Sequence, residues 1–234
     1  MNLLLLSNST SPGRPFLAHA AVALADLAAA ARPGAVAFVP YALADHDAYT
    51  ARVRQTLGDL RRPVIGVHTG EPARIVAEAG IVFVGGGNTF RLAAALQHTG
   101  LLEVIRAAVG EGAAYLGSSA GTNVAAPSLR TTNDMPIVQP PTFETLGLVP
   151  FQINPHYLDP VPGDTHQGET REERIRQFHE ESDVPVVGLR EGTWLRRRGD
   201  ELTLGGVAAG ARLFRAGAPP TELASGVDVS FLLA

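Results

Sequence analysis

The chain has 234 residues, 45% of them hydrophobic and 18% charged, with a formal net charge of −4. A chain this long buries roughly 70–75% of its unfolded surface without help from a metal or disulfide, and its mild negative charge argues against a nucleic-acid-binding face. It has no Cys, and all 19 of its Lys+Arg residues are Arg, which excludes thiol nucleophiles, disulfides, zinc–thiolate and iron–sulfur sites, P-loop and Schiff-base lysines and Ser–Lys dyads.

In chain order, Leu3–Leu6 is a compact apolar run followed by the breaker cluster Ser7-Asn8-Ser9-Thr10-Ser11-Pro12-Gly13. A helix is expected over Ala18–Ala31, a strand over Ala35–Val39 and a second helix over Asp45–Leu60. Val64–Val67 reads as a third strand, Ala73–Ala79 as a short helix, and Ile81–Val84 as a fourth, uniformly apolar strand. Asn88 can cap a helix reaching His98, another helix follows over Leu101–Val109, and Ala113–Leu116 is a fifth strand. Strands apolar on both faces and separated by helices predict an α/β, doubly wound, mostly parallel sheet, with sites beyond the carboxyl ends of its strands.

Beyond Pro127 the texture changes. Residues 127–168 are rich in Pro, Asn and Asp and read as long ordered loops broken by a strand at Phe151–Asn154. A charged helix over Glu169–Glu181 and a strand over Val184–Leu189 come next. Trp194–Arg198 and Glu201–Leu204, turned by Gly199-Asp200, form a C-terminal antiparallel hairpin. No repeat or linker divides the chain, so one domain over 1–234 is expected. No apolar run approaches the ~20 residues that span a bilayer, and the first residues lack the basic and long apolar regions of a secretory signal. The cytoplasm is the expected compartment, with no membrane or nucleic-acid partner.

Gly117-Ser118-Ser119-Ala120-Gly121 has the G-x-S-x-G pattern in the context it requires, after an apolar strand and before a helix-compatible stretch. Ser119 is the nucleophile candidate, and Ser118 packs or bonds locally. Gly85-Gly86-Gly87-Asn88 also lies between a buried strand and a helix. It is either a tight turn with an Asn cap or a set of free amides facing a ligand. Gly86, Gly87 and Asn88, with Ala120, are therefore the candidate oxyanion and substrate-binding set. The serine needs a base. His156 leaves a strand through Asn154-Pro155-His156, and His166 in the following loop competes with it. The carboxylate that orients the imidazole is Asp134, in a polar loop, or Glu191, directly after a strand.

With these residues in hand, the chain resembles the peptidase E family of α-aspartyl dipeptidases, serine peptidases that also include the more distant cyanophycinases. The matching segments run over nearly the whole chain. They are Ser7-Asn8-Ser9, Gly85-Gly86-Gly87-Asn88-Thr89-Phe90, Gly117-Ser118-Ser119-Ala120-Gly121, Arg130-Thr131-Thr132-Asn133-Asp134-Met135-Pro136, Gln152-Ile153-Asn154-Pro155-His156, Gly168-Glu169-Thr170-Arg171-Glu172 and Glu191-Gly192-Thr193-Trp194. The resemblance implies a fold like that of class I glutamine amidotransferases, with serine for cysteine. It also implies hydrolysis of dipeptides with a free N-terminal aspartate through an acyl-enzyme. It maps the nucleophile to Ser119 and the histidine to His156, and leaves the third role between Asp134 and Glu191. Where the family often carries a bulky aromatic residue, this chain has Ser118, which implies a wider pocket.

An aspartyl side chain calls for a fixed cation. Without Lys it must be Arg, and Arg171, opening a helix beside the loop region, is the candidate. Whichever of Asp134 and Glu191 does not orient His156 can receive the α-amino group. The expected partner is a small peptide, with no cofactor or metal, and the chain is expected to be a monomer or homodimer. Two other readings use the same residues. One is an α/β-hydrolase-type esterase with the chain order Ser119, Asp134, His156, although the short gap between the first two leaves little room for intervening strands. The other is a non-catalytic carboxylate-binding module.

Overall fold

A computed structural model describes residues 1–160, 163, 165, 167–207 and 209–234. His166, the competing base, lies outside the described residues. The first half builds β1 (Asn2–Leu6), α1 (Ala21–Ala29), β2 (Val36–Val39), α2 (His46–Thr56), β3 (Val64–Gly66), α3 (Pro72–Ala77), β4 (Ile81–Val84), α4 (Thr89–His98), α5 (Leu101–Gly110), β5 (Ala114–Ser118) and α6 (Ala120–Asn123). The second half adds β6 (Gln152–Tyr157), α7 (Arg171–Phe178), β7 (Val186–Arg190), β8 (Thr193–Arg198), β9 (Glu201–Gly206), β10 (Ala211–Phe214) and β11 (Thr221–Leu223).

Three predicted helices are shorter than their composition suggests, among them the charged one, which covers only Arg171–Phe178. Ala18–Ala20 is a 3₁₀ turn that follows Leu17 at φ 61°, so α1 starts only at Ala21. The second helix stops at Thr56, and Gly58–Leu60 is a separate 3₁₀ turn. Asp45 caps α2 by accepting the Ala48 amide at 2.9 Å. Thr170 caps α7 in a reciprocal capping box with Glu173, which satisfies first-turn amides that have no intrahelical acceptor.

The strands form two sheets. The larger runs β3-β2-β4-β5-β1-β8-β9. Its first five strands are mutually parallel, and β8 and β9 are added antiparallel. Because side chains alternate across a strand, the parallel strands feed two apolar layers. Leu3, Leu5, Val82, Val84 and Tyr115 fill one, while Leu4, Leu6, Phe38, Phe83 and Leu116 fill the other. Both layers are fully or almost fully buried, which explains why these strands read as unbroken apolar runs.

The smaller sheet runs β11-β10-β7-β6, with only β6 and β7 parallel. One of its faces contributes Ile153, Val187, Leu189, Ala211 and Leu213 to the first apolar layer of the larger sheet. Its other face packs Tyr157, Val186 and Phe214 on Ile175 of α7. The sequence did not announce β10 and β11. They are short, mix Arg, Thr and Glu with apolar residues, and exist by pairing with β7 and with each other. The strand expected to end at Asn154 continues through His156 to Tyr157.

Candidate active site

The site lies where β4, β5, β6 and β7 end or bend. Ser119 follows β5 with φ 53° and ψ −110°, a conformation that strains a non-glycine residue by about 1–3 kcal/mol. The flanking glycines make the turn possible. A Cβ at Gly121 would stand 2.0 Å from the Val84 carbonyl oxygen, and one at Gly117 would stand 2.6 Å from that of Gly121. The Ser119 amide donates to the Leu6 carbonyl at 3.1 Å, and its carbonyl accepts the amides of Thr122 and Asn123, both at 2.9 Å. The buried Tyr115 hydroxyl donates to the Gly121 carbonyl at 2.6 Å. The helix that follows is one turn of four residues.

His156 stands in β6 at an irregularity. Pro155 pairs with Leu189 and Tyr157 with Arg190, and the register shifts between them. His156 is the unpaired extra residue, at φ 53°. A bulge of this kind re-aims a side chain, and here it aims the imidazole at the elbow. His156 Nε2 lies 2.9 Å from Ser119 Oγ, and its Nδ1 lies 2.6 Å from Glu191 Oε1. Glu191 occupies the tight link between β7 and β8 with Gly192 at φ 79°. Its side chain is half exposed, so the pair opens to solvent on the carboxylate side.

The alternatives left open by the sequence separate here. Asp134 does not bond the imidazole among the described residues. Its Oδ2 accepts the Thr89 amide at 2.7 Å and the Thr89 hydroxyl at 2.6 Å, so it sits at the N-terminus of α4, where the helix dipole favours an anion. The esterase order Ser119, Asp134, His156 therefore loses its middle member. The loop that carries Asp134 is pinned to β6: Asn133 Nδ2 donates to the Pro155 carbonyl at 2.7 Å, and Asn154 Nδ2 donates to Asn133 Oδ1 at 2.8 Å.

Three expectations about small residues need correction. The Gly86 amide donates to the buried Tyr49 hydroxyl at 2.9 Å, so it is already engaged and not free for an oxyanion. Asn88 is the cap of α4. Its Oδ1 accepts the Arg91 amide at 3.0 Å and its Nδ2 donates to the Met135 carbonyl at 2.9 Å, so both ends of its amide are engaged in the fold, and it does not line the cavity around Ser119. Ser118 is fully buried in β5 and does not line the cavity, so it widens nothing. The amides of Gly87 and Ala120 have no acceptor among the described residues.

Ser119 and His156 open into a cavity of about 210 Å³ lined also by Thr89, Thr132, Asp134 and Arg171. This is below the ~300–1,000 Å³ of drug-sized sites and suits a small ligand. Arg171 has no ion-pair partner among the described residues. Partial burial, with the charge of Arg174, pushes its pKa below the usual arginine value, while Asp134 opposes the shift. An unpaired, partly desolvated guanidinium in a cavity is a ready receptor for a carboxylate. Among the described residues no group of three or more His, Asp or Glu is arranged to hold a metal ion, and no helix is long and apolar enough to cross a membrane.

Sequence reasoning gave no role to Tyr49, Thr89, Asn133 and Asn154, although the last three lie in segments that carry the family resemblance; nothing around Tyr49 marks it.

Comparison with known proteins gives a consistent match. The family model described as "Peptidase family S51" matches residues 3–205. A "Peptidase E" of Streptomyces coelicolor is 65% identical, covering 100% of this chain and 95% of the relative. A protein of Drosophila melanogaster named "Probable alpha-aspartyl dipeptidase" is 52% identical, covering 99% and 97%. The crystal structure of a peptidase from an acI-B1 Actinobacterium aligns with a TM-score of 0.72 at 20% identity, covering 98% of this chain and 96% of that one.

Proposed function

The chain belongs to peptidase family S51, and from that premise we propose that it is a serine dipeptidase that hydrolyses Asp-Xaa dipeptides through an acyl-enzyme. The observation that carries the reading is the continuous relay of Ser119 Oγ, His156 and Glu191 at 2.9 and 2.6 Å, opening on a cavity that also holds Arg171, which has no ion-pair partner among the described residues. The names of the full-length relatives point the same way.

In this mechanism His156 Nε2 accepts the Ser119 hydroxyl proton as Oγ attacks the scissile carbonyl. Glu191 holds Nδ1–H, which selects the tautomer with a free Nε2 and stabilises the imidazolium. The amides of Ala120 and Gly87 receive the oxyanion, and each such donor is worth roughly 10²–10³ in turnover. The imidazolium then gives its proton to the departing amine, which breaks the peptide bond and leaves the aspartyl ester on Ser119. Water, deprotonated by His156, attacks that ester, releases aspartate and returns the proton to Oγ.

Arg171 pairs the aspartyl side-chain carboxylate, and Asp134 receives the α-ammonium through the oxygen that Thr89 leaves unused. Two opposite charges on one small wall thus select a residue that carries both. We also propose a single domain over 1–234, supported by the apolar layer shared between the two sheets. A class I glutamine amidotransferase-like arrangement is supported by the nucleophile turn leaving an inner strand of the parallel sheet.

The test is a first-residue panel. Asp-Leu is expected to be cleaved and Asn-Leu to be a poor substrate, because it leaves Arg171 desolvated and unpaired. Arg171→Met should lower kcat/KM for Asp-Leu by about 30–100-fold while leaving Asn-Leu nearly unchanged. Equal rates on the two dipeptides with the unaltered chain would refute the charge-pairing reading.

A further inference from the structure

The segment Ser7-Asn8, which has no part in the mechanism above, lies buried at the end of β1, with Ser7 0% and Asn8 1% exposed. Buried polar side chains need partners, and theirs are the backbones of the catalytic set. In an unbroken parallel pairing of Pro155 with Leu189, the His156 amide would donate directly to the Leu189 carbonyl. The bulge opens that bond, and the Ser7 hydroxyl fills the gap. Ser7 Oγ accepts the His156 amide at 3.0 Å and donates to the Leu189 carbonyl at 2.7 Å.

The neighbouring side chain does the corresponding work for the acid. Asn8 Oδ1 accepts the amide of Gly192, the residue after Glu191, at 2.7 Å. Asn8 Nδ2 donates to the Thr10 carbonyl at 2.6 Å, which fixes the orientation of its amide. One residue upstream, the Leu6 carbonyl accepts the Ser119 amide at 3.1 Å. Three consecutive residues of one strand end therefore each grip one member of the relay, and none of them lines the catalytic cavity.

We infer that Ser7 and Asn8 are positioning residues, whose side chains hold the His156 bulge and the Glu191 turn in register with the Ser119 elbow. The inference rests on the serine-dipeptidase reading and adds to it the device that assembles the relay. Neither Ser7 nor Asn8 bonds Arg171 or Asp134, the groups that receive the substrate's charges. The loss of either side chain should appear in the chemical step.

The experiment compares the unaltered chain with Ser7→Ala, Asn8→Ala and Ser7→Thr, which keeps the hydroxyl. Thr145→Val serves as a control that deletes an equally buried side-chain bond remote from the relay. Three quantities are read: kcat and KM on Asp-Leu, the rate of Ser119 phosphonylation by a fluorophosphonate, and the low-field proton signal of the His156–Glu191 hydrogen bond. Ser7→Ala and Asn8→Ala should each lower kcat by about 10–100-fold, the range for displacement of catalytic geometry by about 1 Å. KM should stay within about twofold. Phosphonylation should slow in parallel and the low-field signal should broaden or vanish. Ser7→Thr should recover most of the rate, and Thr145→Val should leave all three readouts in place. Ser7→Cys, which keeps the volume but weakens both bonds, gives the same readout where Ser7→Ala is not recovered folded.

Folded Ser7→Ala and Asn8→Ala with unaltered turnover and phosphonylation would overturn this inference alone. A chain that neither cleaves Asp-Leu nor is phosphonylated at Ser119 would overturn the dipeptidase reading, and the inference with it.

Discussion

Ser119 and His156 share a φ of 53° and approach each other to 2.9 Å, yet the two regions that carry them achieve this by opposite means. The nucleophile turn is built mainly from its own neighbourhood. Gly117 and Gly121 allow the crossing, and the bonds from Thr122, Asn123 and Tyr115 close within a few residues. His156 lies on the second sheet and Glu191 just after its strand β7, where the His156 amide is satisfied by a hydroxyl 149 positions away and the imidazole by a carboxylate 35 positions away. Strain on the first side is relieved by removing side chains. On the second side it is offset by adding buried polar ones. A local device can be read from a pentapeptide, whereas a distributed one exists only once both sheets have closed on their shared apolar layer.

Substitutions can break this contrast or sharpen it. The largest effect belongs to the groups that meet across the gap. Ser119→Ala and His156→Ala should each lower kcat on Asp-Leu by roughly 10⁴-fold or more while leaving the unfolding transition in place. Residual turnover near the unaltered rate in either variant would remove the relay from the mechanism.

Next comes the pair of carboxylates that the sequence could not separate. Glu191→Gln should act on kcat, with a loss of roughly 10²–10⁴-fold, because the wrong imidazole tautomer is then favoured. Asp134→Asn should instead raise KM, since it weakens capture of the α-ammonium without touching His156. Steady-state kinetics of the two variants side by side distinguishes them, and reversed signatures would exchange their roles.

On the nucleophile side, Gly121→Ala is expected to destabilise the fold by about 1–3 kcal/mol, because its Cβ would press on backbone rather than on a flexible side chain. A fall in Tm measured by calorimetry checks this. On the other side of the relay, a Cβ added at Gly188 or Gly192 would meet the side chains of Tyr157 or Val207 instead.

The smallest effect concerns Asp159, just beyond β6. Arg190 donates to both its oxygens at 2.7 Å, and this holds its carboxyl below the usual range. A carboxyl lowered on folding contributes stability above its unfolded pKa near 4, and that contribution fades as the pH falls through the lower folded value. The pair is half exposed on the aspartate side, so the contribution is at most about 1 kcal/mol. Denaturant unfolding from pH 6 to pH 2.5 should show a shallower acid loss in Asp159→Asn than in the unaltered chain. Identical slopes would detach this ion pair from acid stability.

Much of the site was legible from residue type and order. The parallel core strands are runs of Leu, Val, Ile and Phe because both their faces are buried, and a string records that directly. The elbow at Ser119 was legible because its requirement for small flanking residues is confined to one turn. The capping role of Asn88 was visible as one of two readings, and α4 selects it by using both ends of the amide. Gly86 misled because nothing in Gly85-Gly86-Gly87 says that a tyrosine 37 positions earlier will occupy the middle amide.

The chain by itself determined most of the elements, their parallel core and the inventory of chemical groups, since periodicity and backbone sterics act over a few residues. Only the tertiary structure decided that a second sheet bends His156 out of register, that Glu191 rather than Asp134 reaches its Nδ1, and that the end of β1 bonds the backbones of Ser119, His156 and Gly192. Those choices depend on hydrogen-bond geometry between segments far apart in sequence. A carboxylate or hydroxyl acts on a partner only within about 3 Å, and no spacing along the chain encodes that distance.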